Sequence, residues 1–378
     1  MITSETDIVD AIADTQRAGE KLAICGAGSK AAVGREVAAR TLSLAGLAGV
    51  VDYDPPELVL TVRPGTPLAE IAALVAAERQ MLAFEPFDHA AMLGCAGAAT
   101  IGGVVAAGAA GSRRVSAGGA RDHMLGFRAV TGRGEAFVAG AKVVKNVTGY
   151  DLPKLAAGSW GQLFALTELT LKVMPRPETS GTWLVAGLDT ARAVAAMAAA
   201  VGSQSDVACA AHRPAVGASP ALTALRLEGF EPSVKARGAA LEHLLAPFGG
   251  AFRADEATGH TYWADLHTLA PLGHERELWR INVAPSRGAA VTAALEACGA
   301  DWLMDWAGGL IWAAVHRHGA EVRAAAAAAQ GHATLLRADA ATRAAVPAFH
   351  PPAPALARLE ERVRRAFDPD GLFETGRF

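Results

Sequence analysis

Residues 22–44 read LAICGAGSKAAVGREVAARTLSL, and the fold turns on how this stretch is parsed. A strand-like run, Lys21–Cys25, leads into Gly26-Ala27-Gly28-Ser29-Lys30-Ala31, which matches the G-x-G-x-x-A of a dinucleotide-binding turn. Small residues there let backbone N–H groups approach a pyrophosphate, and Lys30 could add positive charge. A Rossmann unit, however, needs a crossover helix before its next parallel strand. The next strand-like run begins at Thr41, too soon for one. The stretch is either a phosphate-cradling loop without a Rossmann helix or a tight turn.

Working outward, residues 5–17 have the spacing of an amphipathic helix, and Thr41–Leu44, Val50–Tyr53 and Leu58–Val62 read as strands. Thr66-Pro67 predicts a helix through Ala77, with Thr66 as N-cap and Pro67 in the first turn. Met124–Thr131 and Glu135–Val138 flank Gly132-Arg133-Gly134, a hairpin signal. Phe164–Val173 alternates as a half-buried strand until Met174-Pro175-Arg176-Pro177 stops it. That break sets the first expected boundary, giving residues 1–177, then 178–345, then a C-terminal segment 346–378.

The middle unit reads as a repeat. Thr182–Gly187, Thr190–Val201, Val207–Ala211, Ala224–Glu228 and Pro232–Leu245 run strand, helix, strand, strand, helix. A linking stretch with Tyr262 and Trp263 follows. The order then recurs in Leu278–Val283, Gly288–Cys298, Asp301–Trp306, Leu310–Val315, Ala320–Gln330 and Ala333–Leu336. Two β-α-β-β-α-β halves predict one antiparallel sheet backed by helices, hence an α+β chain. Pro347–Pro354 breaks the chain again before a last helix, Ala355–Phe367.

At 378 residues the chain should hold two or three domains. It is 51% hydrophobic and 19% charged, enough to bury a core, which excludes disorder. A net charge of −3 with intermixed signs excludes the basic stripe of a nucleic-acid binder. The N-terminus, MITSETDIVD, is acidic where a secretion signal is basic. Cys25, Cys95, Cys209 and Cys298 lie far apart, without metal or iron–sulfur spacing, which fits a reducing, cytoplasmic setting. Residues 91–111 carry no charge before Arg113 and could span a bilayer by length. Their glycines make a poor spanning helix and a better loop against a buried ligand.

Three glycine clusters supply the candidate chemistry. The first is Gly26–Lys30. The second runs from Thr100-Ile101-Gly102-Gly103 through Gly108 to Gly119, with Arg113, Arg114, Arg121 and Asp122; its alternative is a small-residue helix packed in a core. The third joins Lys145-Asn146-Val147-Thr148-Gly149-Tyr150-Asp151 to Gly158-Ser159-Trp160-Gly161. On a strand, His316 and His318 would share a face and could ligate a metal, although a surface role suits a two-histidine signal better. Trp302, Trp306 and Trp312 read as core or interface anchors.

Taken in order, CGAGSK, ELVLTVRPGTPLAEI, FEPF, ATIGGVVAAGAAGSRR, KNVTGYDLPKLAAGSWGQLFALTELTLKVMPRP and FDPDGLFETGR resemble the FAD-linked oxidases of the vanillyl-alcohol-oxidase type. More narrowly they resemble the smaller FAD-binding subunit of three-subunit bacterial glycolate oxidases. The resemblance implies a two-part FAD-binding domain with an antiparallel-sheet cap. It places Gly26, Ala27, Gly28, Ser29 and Lys30 on the pyrophosphate. Glu85, Pro86, Thr100, Gly102 and Gly103 would lie along the flavin and ribityl chain, continued by Gly108, Arg114, Gly119 and Asp122. Gly158, Gly161 and Gln162 would sit by the adenine side, and Arg377 would fold back near the cofactor.

No histidine lies between residues 19 and 88 to tether a flavin, so FAD would be non-covalent. Gly158-Ser159-Trp160-Gly161 stands where relatives commonly have Gly-Ser-Glu-Gly, which removes a carboxylate. No residue is assigned as catalytic and no metal site is expected. The implied partners are a larger FAD-containing catalytic subunit and an iron–sulfur subunit, with a small 2-hydroxy acid as substrate, no nucleic acid, and membrane contact only through partners. A free-standing 2-hydroxy-acid dehydrogenase and a flavin-free structural subunit are the alternatives.

Overall fold

The structure, a computed structural model, describes residues 2–141 and 150–378. The helix Glu5–Ala18 opens on a capping box in which Ser4 and Asp7 satisfy each other's backbone N–H groups. Among the described residues, nine strands lie in the first part of the chain. They are β1 (Leu22–Cys25), β2 (Arg40–Ser43), β3 (Val50–Asp54), β4 (Val59–Val62), β5 (Gln80–Met81), β6 (Met124–Thr131), β7 (Ala136–Gly140), β8 (Phe164–Lys172) and β9 (Met174–Pro175). β3-β4-β8-β6-β7 make an antiparallel sheet, and β5 pairs with β9.

β1 and β2 pair in parallel although no helix lies between them. Rossmann topology is thus absent, as the spacing predicts, but a parallel pair forms without its usual crossover helix. The C-terminal residues fill that space instead. Leu22 N–H donates to Leu372 O at 2.9 Å, and Arg35 N–H to Arg377 O at 3.0 Å. Leu372 and Phe373 join Ile8, Ile12, Leu22 and Leu42 in one core cluster.

The second sheet contains β10 (Thr179–Ala186), β11 (Val207–Arg213), β12 (Leu222–Gly229), β13 (Phe252–Arg253), β14 (Glu277–Asn282), β15 (Asp301–Asp305), β16 (Leu310–Val315) and β17 (His332–Arg337). Its order is β13-β10-β12-β11-β15-β16-β14-β17. Within each half the order is 4-1-3-2, the ferredoxin-like arrangement, and the halves meet where His212 of β11 pairs with Met304 of β15. Alternation along each strand sends Trp183, Val185, Trp279 and Ile281 to the face covered by the four crossover helices. Leu184, Leu278, Trp312 and Leu336 point the other way, toward Val33, Met92, Leu93 and Ala110 of the first part.

Two sequence expectations are corrected here. The stretch around Tyr262 and Trp263 is a helix, Glu256–Thr268, started by the Asp255 carboxylate accepting Thr258 N–H at 2.8 Å. The helix after Thr66 begins at Leu68 with Pro67 as its cap, because the Thr66 hydroxyl is engaged by the carbonyls of Gly49 and Arg63. The uncharged stretch 91–111 contains two short helices, Ala90–Leu93 and Ile101–Ala106, with Gly94 in the left-handed region between them. Among the described residues no helix is long and apolar enough to cross a membrane.

Candidate functional site

The β1–β2 loop, the start of helix Ile101–Ala106, the turn before β8 and the C-terminal residues converge on one open cleft of about 250 Å³. Thr100 caps the helix, its hydroxyl accepting Gly103 N–H at 3.4 Å. A Cβ on Gly26 would lie 2.3 Å from Thr100 Oγ, so only glycine lets the loop close against this cap. Gly28, at φ +84°, has nothing within 4 Å of its absent side chain. Gly26 through Lys30 all line the cleft.

Lys30 Nζ is buried and has no hydrogen-bond partner. Burial pulls its pKa down to about 8, and Asp88 opposes that shift. From the opposite side, Arg377 Nε donates to Val33 O at 2.8 Å and Nη2 to the carbonyls of Lys30 and Ala31 at 3.2 and 2.6 Å. The C-terminal arginine therefore fixes the loop that carries Lys30. Burial raises the pKa of the neighbouring Cys25 thiol, which keeps it protonated.

The wall of the cleft includes Gly26, Ala27, Gly28, Ser29, Lys30, Thr100, Gly102, Gly103, Gly161, Gln162 and Arg377. It also includes Ala106, Ala107, Trp160 and Phe378, to which the glycine pattern gave no role; the Trp160 and Phe378 rings meet at a tilt, their centroids 5.3 Å apart. Seven residues placed near the cofactor by resemblance lie outside this wall: Glu85, Pro86, Gly108, Arg114, Gly119, Asp122 and Gly158. Each, apart from Pro86, is occupied elsewhere. Gly108 and Gly158 pack on each other, with 3.5 Å between a Gly108 Cβ and Gly158 Cα. Arg114 lies on the Trp306 ring at 4.9 Å. Asp122 accepts Gly119 N–H at 2.8 Å at the start of helix Ala120–His123.

Glu85, at φ +46°, belongs to a buried ionic network between the two sheets. It pairs with Arg226, sits 3.2 Å from Arg113 Nε and accepts Arg113 N–H at 3.0 Å. Arg113 Nη2 in turn donates to Glu228 Oε1 at 2.7 Å. Burial alone would raise the Glu85 pKa, but Arg226, His267 and Arg113 reverse this and hold it below the usual carboxylate range. For Glu228 burial wins and the value rises.

Lys145, Asn146, Val147, Thr148 and Gly149 lie outside the described residues. Tyr150 is exposed, and Asp151 caps the helix Leu152–Ala156. β16 ends at Val315, so His316 and His318 follow the strand rather than sharing one of its faces, and His318 faces Glu321 at 3.7 Å. Trp302, Trp306 and Trp312 are buried, and Trp306 Nε1 donates to Gly111 O at 3.0 Å across the two parts of the chain.

The FAD binding domain family matches residues 1–140. Over 362 residues the chain is 36% identical to the glycolate oxidase subunit GlcE of Escherichia coli K12, covering 94% of this chain and 92% of that one. It is 35% identical over 135 residues to the glycolate oxidase subunit GlcD of Bacillus subtilis 168, covering 36% of this chain and 27% of that one. Among solved structures, p-cresol methylhydroxylase superposes with a TM-score of 0.70 at 14% identity, covering all of this chain and 87% of that one. An alkyldihydroxyacetonephosphate synthase gives 0.68 at 15%, covering 99% and 76%. These two likenesses show the fold, α+β with an FAD-binding part and an antiparallel-sheet cap. FAD is the cofactor of this family. The chain belongs to the family of the glycolate oxidase subunit GlcE, within the FAD-linked oxidases of the vanillyl-alcohol-oxidase type.

Proposed function

We propose that this chain is the subunit of a glycolate-oxidising complex that holds FAD non-covalently in the cleft beside Lys30. The observation that carries this is the buried, unpartnered Lys30 Nζ at the end of a glycine loop that lines the cleft. A lone buried ammonium is costly, and a pyrophosphate would supply both its charge and its hydrogen bonds. The residues present therefore fit the group. Gly26–Lys30 would hold the pyrophosphate, Thr100, Gly102 and Gly103 would line the path toward the ring, and Gly161 and Gln162 the adenine side. Glu85, Pro86, Gly108, Arg114, Gly119, Asp122 and Gly158 would act one layer out, by holding those loops. In this reading residues 1–177 and 346–378 build the cofactor unit and 178–345 the cap.

Bound FAD would supply a two-electron acceptor for the hydride equivalent leaving the alcohol carbon of a 2-hydroxy acid. The chain's own share is to bind, orient and shield it. The sequence has no iron–sulfur spacing among its four cysteines. Onward transfer toward a quinone would therefore use an iron–sulfur partner beside a larger FAD-containing subunit. The complex would work in the cytoplasm, touching the membrane only through those partners.

The test is purification of the full chain with and without partners. Bound flavin should show in the visible spectrum and be released by acid. Lys30→Met should weaken FAD binding about 10- to 100-fold, the worth of a charge-assisted hydrogen bond. A chain that holds no flavin under any condition sinks the reading.

A further inference from the structure

Five successive carbonyls of the β1–β2 loop, from Lys30 to Gly34, accept hydrogen bonds from two guanidiniums. Arg377 takes those of Lys30, Ala31 and Val33. Arg343 takes the other two, its Nη1 donating to Ala32 O at 3.3 Å and to Gly34 O at 3.4 Å. Arg343 belongs to the helix Ala340–Ala345, which follows β17, an edge strand of the second sheet. We propose that Arg343 is a positioning residue for FAD: through these carbonyls the cap holds the loop that carries Gly26–Lys30, and loss of that hold speeds release of the cofactor. The assignment rests on reading the cleft as the FAD site.

The arginine is itself well anchored. Asp339 starts its helix by accepting Thr342 N–H at 2.7 Å, and Arg343 N–H donates to Asp339 O at 3.0 Å. The Arg343 side chain is only 16% exposed, and its buried Nε finds no partner among the described residues. Nη2 reaches Glu36 Oε1 at 2.9 Å, but the Glu36 side chain is 78% exposed. An ion pair to so exposed a carboxylate is worth little, so the carbonyl contacts are the stronger reason for this placement. Burial lowers the Arg377 pKa and Arg343 adds to that shift, so the two like charges act on each other. The negative ends of five peptide dipoles offset the repulsion.

The loop is gripped from both sides. Gly34 has φ +81°, and a Cβ there would lie 2.6 Å from Arg377 O, which also accepts Arg35 N–H at 3.0 Å. Moving the loop toward either arginine breaks its bonds to the other. A glycine-rich loop left to itself has many conformations open to it. Fixing the peptide planes from Lys30 to Gly34 removes much of that freedom before the cofactor arrives, which favours binding and slows release.

The experiment loads the full chain with FAD and follows release after dilution by the recovery of free-flavin fluorescence. Arg343→Met should release FAD about tenfold faster than wild type, the worth of a charge-assisted hydrogen bond. Arg343→Lys, which keeps the charge and one donor, should recover part of that loss. Glu36→Gln removes the exposed ion pair and leaves the carbonyl contacts, so its rate should stay within about twofold of wild type. An arginine that only stabilised the fold would lower the melting temperature of the flavin-free chain and leave release from the folded, loaded chain unchanged. If Arg343→Met does not fold, Arg343→Lys should still release FAD faster than Glu36→Gln, and equal rates for those two overturn the proposal. It is also overturned by release from Arg343→Met at the wild-type rate, by no recovery in Arg343→Lys, or by Glu36→Gln releasing FAD as fast as Arg343→Met. A wild-type chain that takes up no flavin overturns the FAD reading, and this assignment with it.

Discussion

Burial pushes the Asp305 carboxyl up to about 7, although Ser112 Oγ and Trp306 N–H each lie 2.7 Å from it and favour its charged form. A carboxyl whose value rises from 3.8 on folding binds more protons in the native state. Its contribution to stability is present below pH ~4 and lost as pH rises through about 7. Asp305→Asn removes that titration while keeping an acceptor for Trp306 N–H. Thermal melts at pH 5 and pH 8 should show wild type losing about 1–3 kcal/mol relative to the variant, and a gap that stays constant between the two pH values would rule this out. Such behaviour is invisible in sequence, where Asp305 is one acid in a strand. Lys30 is different, since a lysine among glycines after a strand already points to an anion. Arg343 gave no such signal, because what matters about it is which carbonyls, far away along the chain, its guanidinium meets.

Elements with strong alternation or caps were the legible ones. Met124–Thr131, Thr190–Val201 and Leu310–Val315 have the limits their patterns predict, and the doubled β-α-β-β-α-β order is the observed sheet. The helix Glu256–Thr268 was missed because its apolar face is short, only Tyr262, Trp263 and Leu266 among larger side chains being buried. Its Asp255 cap was the available signal. In the β1–β2 loop the glycines signal close approach, since glycine is the residue that permits it, and at Gly26 the approach is to Thr100. Gly26→Ala would put a methyl 2.3 Å from the Thr100 hydroxyl. The clash should cost about 1–3 kcal/mol and displace the loop. FAD affinity should fall at least tenfold by titration of the flavin-free chain. Thr100→Ser, which keeps the cap, should leave affinity within about twofold, the cap itself being worth ~1 kcal/mol. Equal binding by wild type and Gly26→Ala would remove the loop from the site.

On the scale of the whole molecule, the two sheets are joined by an ionic cluster rather than by apolar contact alone. Glu85 and Arg113 come from the first part of the chain, and Arg226 and Glu228 from β12. His267, from the helix Glu256–Thr268, stands 3.9 Å from Glu85. Two carboxylates and two guanidiniums balance there, so deleting one leaves an uncompensated buried charge. Glu85→Gln should therefore destabilise the chain by about 3–5 kcal/mol, read by denaturant or thermal unfolding. The double variant Glu85→Gln/Arg226→Met, which removes one charge of each sign, should recover part of that loss. The acid limb gives a second check. Because Glu85 is held below its ordinary value of 4.5, its stabilisation is present above that pH and lost as the pH falls through the lower folded value. Wild type should lose stability steeply in that range and Glu85→Gln should not. If the single variant unfolds no more easily than wild type and the acid limbs coincide, the cluster does not hold the cap against the cofactor unit. The apolar contacts of Met92, Leu93 and Ala110 with the second sheet would then have to do so alone.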